Sequence, residues 1–231
     1  MIHYCSDKYE IVLSVLPFMF KGLWLTFLIS IIAITIGSLL GFVLGLIRTL
    51  PFRLPRNLIG LYLHLFRGSP FLVQLYIVYF VFPSLGIPLL QFDSFTAAIV
   101  SLSLYTSSYV TEVATAAIKA VPSGQEEAAR SVGMSKIQAL RYIVLPQSVK
   151  LAIPPMAGIY VIIIKSTAVL SVIGISELTR QGEIAILRMP NDTMFIYLLI
   201  AVMYFIYCYP VLRFSKWAED RFGSIGVSAK D

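Results

Sequence analysis

Twenty-six consecutive residues, Gly22 to Ile47, carry no charge, and nothing constrains the fold of this chain more. A helix needs about 20 such residues to cross the hydrocarbon of a bilayer. Four further segments of this kind follow. Gly68 to Phe92 is uncharged, Ser94 to Ile118 carries only Glu112, Leu151 to Ser176 carries only Lys165, and Thr193 to Leu212 carries no charge. The sequence therefore predicts an all-α membrane protein with five transmembrane helices, built as one domain over residues 1–231. Composition agrees: only 13% of residues are charged, roughly half the share a soluble domain needs to cover its surface.

Five crossings leave the termini on opposite sides. Of the 18 Lys and Arg residues, 13 fall on one side: the loop Arg48–Arg67, the segment Lys119–Lys150 and the tail from Arg213. Four fall on the other side (Lys8, Lys21, Arg180, Arg188), and Lys165 lies within a span. Positive loops stay in the cytoplasm, so the N-terminus is expected outside and the C-terminus inside. The net charge of +6 is read as this orientation signal, with no basic stripe for nucleic acid. Cys5 and Cys208 lie on different segments, and His3 and His64 stand apart, so neither a disulfide nor a metal site is expected. No cleavable leader is evident in the first ten residues.

Small residues recur every fourth position in the first span at Gly37, Gly41 and Gly45. They permit close helix approach, either within the chain's own bundle or at a subunit interface. Pro154-Pro155 and Gly158 are expected to interrupt the fourth span near its cytoplasmic end, leaving a helix from Pro155 still long enough to cross.

Between spans three and four the composition changes. Ser123 with Glu126 three residues on reads as a capping box opening a short helix, and Gly133 is placed to end it in a left-handed turn. Ser135 and Gln138 repeat the pattern for a second helix, which Pro146 is expected to stop. A connector would need neither the caps nor the length.

This segment resembles a known family. Glu127-Ala128-Ala129, then Gly133, then Ile143-Val144-Leu145-Pro146 is similar to the EAA loop of bacterial ABC-importer permeases, and the resemblance covers nearly the whole chain. Gly124-Gln125-x-Glu127-Ala128-Ala129, Arg67-Gly68-Ser69-Pro70, Tyr109-x-x-Glu112 and Lys165-Ser166-Thr167 resemble signatures of its polar amino acid branch. Thr115 and Ser166 depart from that pattern, the second leaving the substrate's identity open.

The resemblance implies a MetI-like type I importer fold in the bacterial inner membrane, with residues 119–150 as the coupling loop. Gly124, Gln125, Glu127, Ala128, Ala129, Gly133, Leu145 and Pro146 would then meet a separate ATPase. It further implies two ATP-binding subunits using ATP and Mg, a second permease copy, an extracytoplasmic solute-binding protein and an amino acid substrate. The chain itself has no phosphate-binding loop and no catalytic cluster, so it is expected to be neither an ATPase nor an enzyme, and to hold no cofactor.

Ionisable residues inside a bilayer are costly and usually functional. Glu112 lies near the cytoplasmic end of its span and reads as a polar anchor for helix ends or for arginines such as Arg67. Lys165 lies nearer mid-membrane and, with Ser166, Thr167, Tyr109, Gly68 and Ser69, is a candidate for the substrate pathway; snorkelling to the outer interface is the other reading of Lys165. Gly68-Ser69-Pro70 reads either as the break of a discontinuous span, with Ser69 at the N-cap and free N–H groups suited to a carboxylate, or as a plain interfacial helix start. A self-sufficient carrier using Glu112 or Lys165 as an ion relay is the competing function; it leaves the capped loop unexplained.

Overall fold

A computed structural model of the chain describes residues 2–222, with side chains described from residue 10. The readings of His3, Cys5, Lys8 and Lys230 lie outside the described side chains.

Apolar runs without breakers propagate as helix, and eight helices account for nearly all of the described chain. They are α1 (Ile2–Thr49), α2 (Arg53–Gly68), α3 (Phe71–Ser84) and α4 (Ser94–Ala120), followed by α5 (Ser123–Ser131), α6 (Lys136–Ile173), α7 (Leu178–Arg188) and α8 (Thr193–Phe222). No strand occurs among the described residues.

The predicted second span needs correction. The uncharged run Gly68–Phe92 is not one helix: α3 ends at Ser84, and Gly86 turns the chain at φ +70° into a short 3-10 segment, Pro88–Leu90. The expected basic loop ahead of it is itself helical, as α2, and α2 meets α3 at a bend of 107°. Proline explains the break, because Ser69 before Pro70 is forced into extended backbone (φ −122°, ψ 151°). Ser69 is therefore the last cap of α2, and Pro70, not Ser69, occupies the N-cap of α3.

Three prolines expected to limit α6 do not. The helix runs through Pro146, and also through Pro154 and Pro155. Ahead of Pro146 the helix widens into a π turn, Leu140–Val144; ahead of Pro83 in α3 the same happens at Ile77–Val81. Each widened turn ends two residues before its proline. Proline lacks an N–H and its ring collides with the carbonyl four residues back; a π turn moves that carbonyl aside and keeps the helix continuous.

The long helix α4 stands at the centre, packed against α1, α2, α3 and α6. A Cβ on Gly37, Gly41 or Gly45 would lie 2.5–2.6 Å from side-chain carbons of Thr106, Val110 and Ala114 respectively. The glycine stripe thus serves contact within the chain, and the matching order of the two sets makes α1 and α4 parallel. Seven hydroxyl residues of α4 are buried, from Ser101 to Thr115. Six bond a carbonyl three or four residues back, as Thr106 does to Leu102 and Thr111 to Ser107.

Three helices are long and apolar enough to cross a membrane: α1 from Glu10, α6, and α8 with the turn before it from Pro190. The bent pair α2–α3 passes that test together. The 27 residues of α4 span about 40 Å at 1.5 Å each, a sufficient length, but its hydroxyls lower its hydropathy because it faces protein on most sides.

Candidate coupling surface and polar clusters

The short helix α5 follows Val121-Pro122 in extended backbone. Pro122, with ψ 135°, holds the N-cap, and its carbonyl accepts the Gln125 N–H at 3.0 Å. Ser123 is already inside the helix and caps nothing, so the expected Ser123–Glu126 box does not form. The C-terminal reading holds: Gly133 sits at φ +92°. The Met134 N–H bonds the Ala129 carbonyl at 3.2 Å and the Gly133 N–H bonds the Arg130 carbonyl at 3.1 Å, the paired bonds of a Schellman turn. The second capping box is present in full, Ser135 and Gln138 bonding each other's backbone at 3.3 and 2.7 Å.

The result is an exposed corner with defined turn geometry. Ala129 and Ala139 are buried, while Gly124, Gln125, Glu127, Ala128, Gly133 and Pro146 are exposed and Leu145 is half-buried. Gln147 donates to Gln125 at 3.3 Å, tying α5 to the first turns of α6. Sequence reasoning missed two members of this surface: Val132 and Ile137 are 75% and 78% exposed. Each is a lone apolar residue between polar neighbours, so no periodic signal marks it.

A second cluster joins three helices near the C-terminal ends of α1, α2 and α4. Glu112 Oε2 accepts from Arg48 Nη1 at 3.0 Å and lies 3.1 Å from Arg67 Nη1. The Arg67 guanidinium lies 5.5 Å from the centre of the Tyr109 ring. One carboxylate thus bridges α1, α2 and α4. With His64 and Gly68 these groups line a cavity of about 360 Å³.

The break beside it is laced by Gln74, which the sequence reading passed over although it is a polar residue inside an uncharged run. Its amide nitrogen donates to the carbonyls of Phe66 and Ser69 and to Ser69 Oγ, at 2.7, 3.1 and 2.9 Å. Ser69 Oγ in turn donates to the Leu65 carbonyl at 2.6 Å.

Lys165, Ser166 and Thr167 lie apart from that cluster, where α6 tightens into its 3-10 end at Thr167–Ile173. Lys165 is exposed, and Ser166 bonds the Ile162 carbonyl at 2.9 Å. Thr167 is fully buried and faces the Tyr204 hydroxyl at 3.5 Å. Tyr204 leads to a residue not foreseen, Glu177. The Glu177 side chain caps α7 through the N–H groups of Thr179 and Arg180, both at 2.8 Å, while the residue is wholly shielded from solvent. Burial pushes its carboxyl up to about 7, against the lowering effect of those two N–H groups and of Tyr204. No hydrogen bond or ion pair among the described residues joins the Lys165–Thr167 group to the Glu112 cluster.

Residues 33–224 match the family model described as the binding-protein-dependent transport system inner membrane component. The chain belongs to that family. The permease is 36% identical over 206 residues to a probable amino-acid ABC transporter permease, YckA of Bacillus subtilis, covering 89% of each chain. It is 31% identical over 168 residues to the glutamine transport permease GlnP of Escherichia coli, covering 73% of this chain and 76% of that one. In three dimensions it superposes with a TM-score of 0.81, at 32% identity, on a chain of an amino acid ABC transporter crystallised with histidines; the match covers 94% of this chain and 97% of that one. The methionine transporter MetNI shares the fold, at a TM-score of 0.70 and 18% identity. The permease is thus a multi-pass bacterial inner-membrane protein of a system that also uses a binding protein and ATPase subunits. The self-sufficient carrier reading gives way to this one.

Proposed function

We propose that the permease forms one half of the translocation pathway of an importer for polar amino acids and receives mechanical work through α5 and the start of α6. The observation that carries this is the exposed, doubly capped corner, with Glu127, Ala128, Val132 and Ile137 facing water beside a helix that continues unbroken into the bundle. Stiffness matters because a floppy connector would absorb displacement. The resemblances to amino acid permeases supply the substrate class.

Five crossings, with the N-terminus outside and the C-terminus in the cytoplasm, fit the packing. The helices α1 and α4 run parallel, so α2–α3 returns the chain once between them. The pair Ser38–Tyr160 in the second half of α1, and the cavity that Leu46 near its end shares with Ser148, make α6 antiparallel to α1. The bonds Ser30–Tyr207 and Ser215–Pro154 set α8 parallel to α1 and against α6. The basic side then faces the cytoplasm.

In this reading a second permease copy completes the pathway, and two ATP-binding subunits, using ATP and Mg, dock on the two coupling corners. An extracytoplasmic solute-binding protein delivers substrate to the opposite face. Tyr109, Gly68 and Ser69 with the Arg67–Glu112 anchor, and Lys165, Ser166 and Thr167, are the proposed pathway contacts. Reconstitution with the ATPase tests it: Glu127→Lys and Gly133→Val are expected to insert normally yet lose ATPase recovery and ATP-driven uptake. Normal uptake by both variants overturns the assignment.

A further inference from the structure

The helix α2 has three faces; the bundle buries one and meets a second at its C-terminal end, where Arg67 pairs with Glu112. Ile59 and Leu63 are buried, with Tyr62 bonding the Leu104 carbonyl at 2.7 Å, so that face lies against α4. About a third of a turn away, Leu54, Leu58, Leu61 and Leu65 recur at helical spacing and are 57–72% exposed. Another third of a turn on, Arg53, Arg56, His64 and Arg67 form a basic stripe, all exposed. The helix carries no acid, and among the described residues Arg53 and Arg56 form no ion pair. The 107° bend lays α2 across the bundle, since α3 runs along α4 from the Phe71–Tyr105 contact to the Tyr79–Ser94 bond.

We propose that this surface docks anionic phospholipid of the cytoplasmic leaflet, with the leucine stripe among acyl chains and Arg53 and Arg56 on headgroup phosphates. A crosswise helix with adjoining apolar and basic stripes is suited to lie in the interface, and guanidinium groups suit phosphate oxygens. Charge decides the occupant. An identical copy seated on this face would bring a second basic stripe against the first, whereas an anionic headgroup neutralises it. The inference rests on the cytoplasmic placement given above.

The test uses the complete complex, permease with its ATPase subunits, in nanodiscs holding both phosphatidylglycerol and phosphatidylcholine. Native mass spectrometry then counts the lipid retained. Each arginine near an anionic surface is worth roughly fivefold, so Arg53→Gln with Arg56→Gln is expected to cut phosphatidylglycerol retention by roughly 25-fold. The pair Arg213→Gln with Lys216→Gln on α8 should leave it largely intact. Unchanged retention in the folded α2 variant overturns the proposal, as does an equal loss in the α8 pair. Efficient Leu58→Cys cross-linking between two copies in native membranes also overturns it, by placing a second copy on the stripe. Labelling of Arg53→Cys from each side of the membrane checks the orientation separately. Should the double variant fail to assemble, Arg56→Gln alone carries the same comparison, with roughly a fivefold loss expected.

Discussion

Tyr204 donates its hydroxyl to Glu177 Oε2 across 3.0 Å, joining the middle of α8 to the cap of α7. The same hydroxyl lies 3.3 Å from Thr179 Oγ1 and 3.5 Å from Thr167 Oγ1. One phenol therefore touches the segment after Lys165 and α7, at the far end of α6 from the corner between α5 and α6.

Glu177 makes stability depend on pH in a direction opposite to that of a salt-bridged acid. Its carboxyl titrates at about 7 when folded against an ordinary 4.5, so between those values the folded state holds a proton that the unfolded chain has released. Stability is then greatest below about pH 4.5 and falls as pH rises through about 7. Thermal unfolding in detergent should show the midpoint dropping by several degrees between pH 5.5 and 8 (about 2–4 °C per kcal/mol at this size). Glu177→Gln should flatten that slope; a slope that survives would assign it to another group.

Gly41 has no space for a side chain. Its Cβ would lie 2.5 Å from Val110 Cβ and 2.9 Å from the Ser107 carbonyl oxygen. Gly41→Leu is expected to cost about 1–3 kcal/mol or more through overpacking and to lower the yield of monodisperse protein. Gly60→Ala, where a Cβ meets nothing within 4 Å, should be silent in the same size-exclusion measurement.

The anchor Glu112 is shared by two arginines but half open to solvent, at 43% side-chain exposure. Its loss should therefore be modest, about 0.5–1 kcal/mol, and screened by salt. A double-mutant cycle between Arg48→Gln and Glu112→Gln, read by thermal unfolding at low and high ionic strength, measures that coupling. An additive cycle would mean that the contact contributes nothing.

Exposed Val132 and Ile137 extend the proposed docking surface beyond the residues of the loop motif. Val132→Asp with Ile137→Asp should leave insertion and thermal stability within about 0.5 kcal/mol of the parent, as exposed sites do. Co-purification of the ATPase should fall roughly tenfold or more, since apolar contacts at the centre of an interface carry much of its affinity.

Uncharged length makes the long helices legible, glycine spacing shows that the first of them has a close neighbour without saying which, and Gly133 and Ser135 mark the corner between α5 and α6, because each of these acts within a few residues. What stayed hidden depends on partners far along the chain. Glu177 is 27 residues from Tyr204 and packs under Gly22, so nothing near it in sequence marks it. The buried serines and threonines of α4 belong to a helix that packs against four others. Pro146 was read as a stop because the rule for proline assumes an α-helix with no room to widen. Ser69 was read as a cap because its neighbour Pro70 usually follows one. The sequence sets Lys165 and Gly68-Ser69-Pro70 down as two candidate sites, and the fold keeps the two groups apart.

The π turn at Leu140–Val144 sets a phase as well as bridging a proline. One surplus residue in a turn rotates everything beyond it by about 100° relative to an unbroken α-helix. The face that Lys136–Ala139 turns to water and the face that α6 turns to α4 are thereby chosen separately, although one rod carries both. Displacement along the axis passes straight through such a rod, while its angular setting is fixed at a single turn. Deleting one residue there would leave the rod and its ends in place and point the rest of α6, Lys165 included, in a different direction.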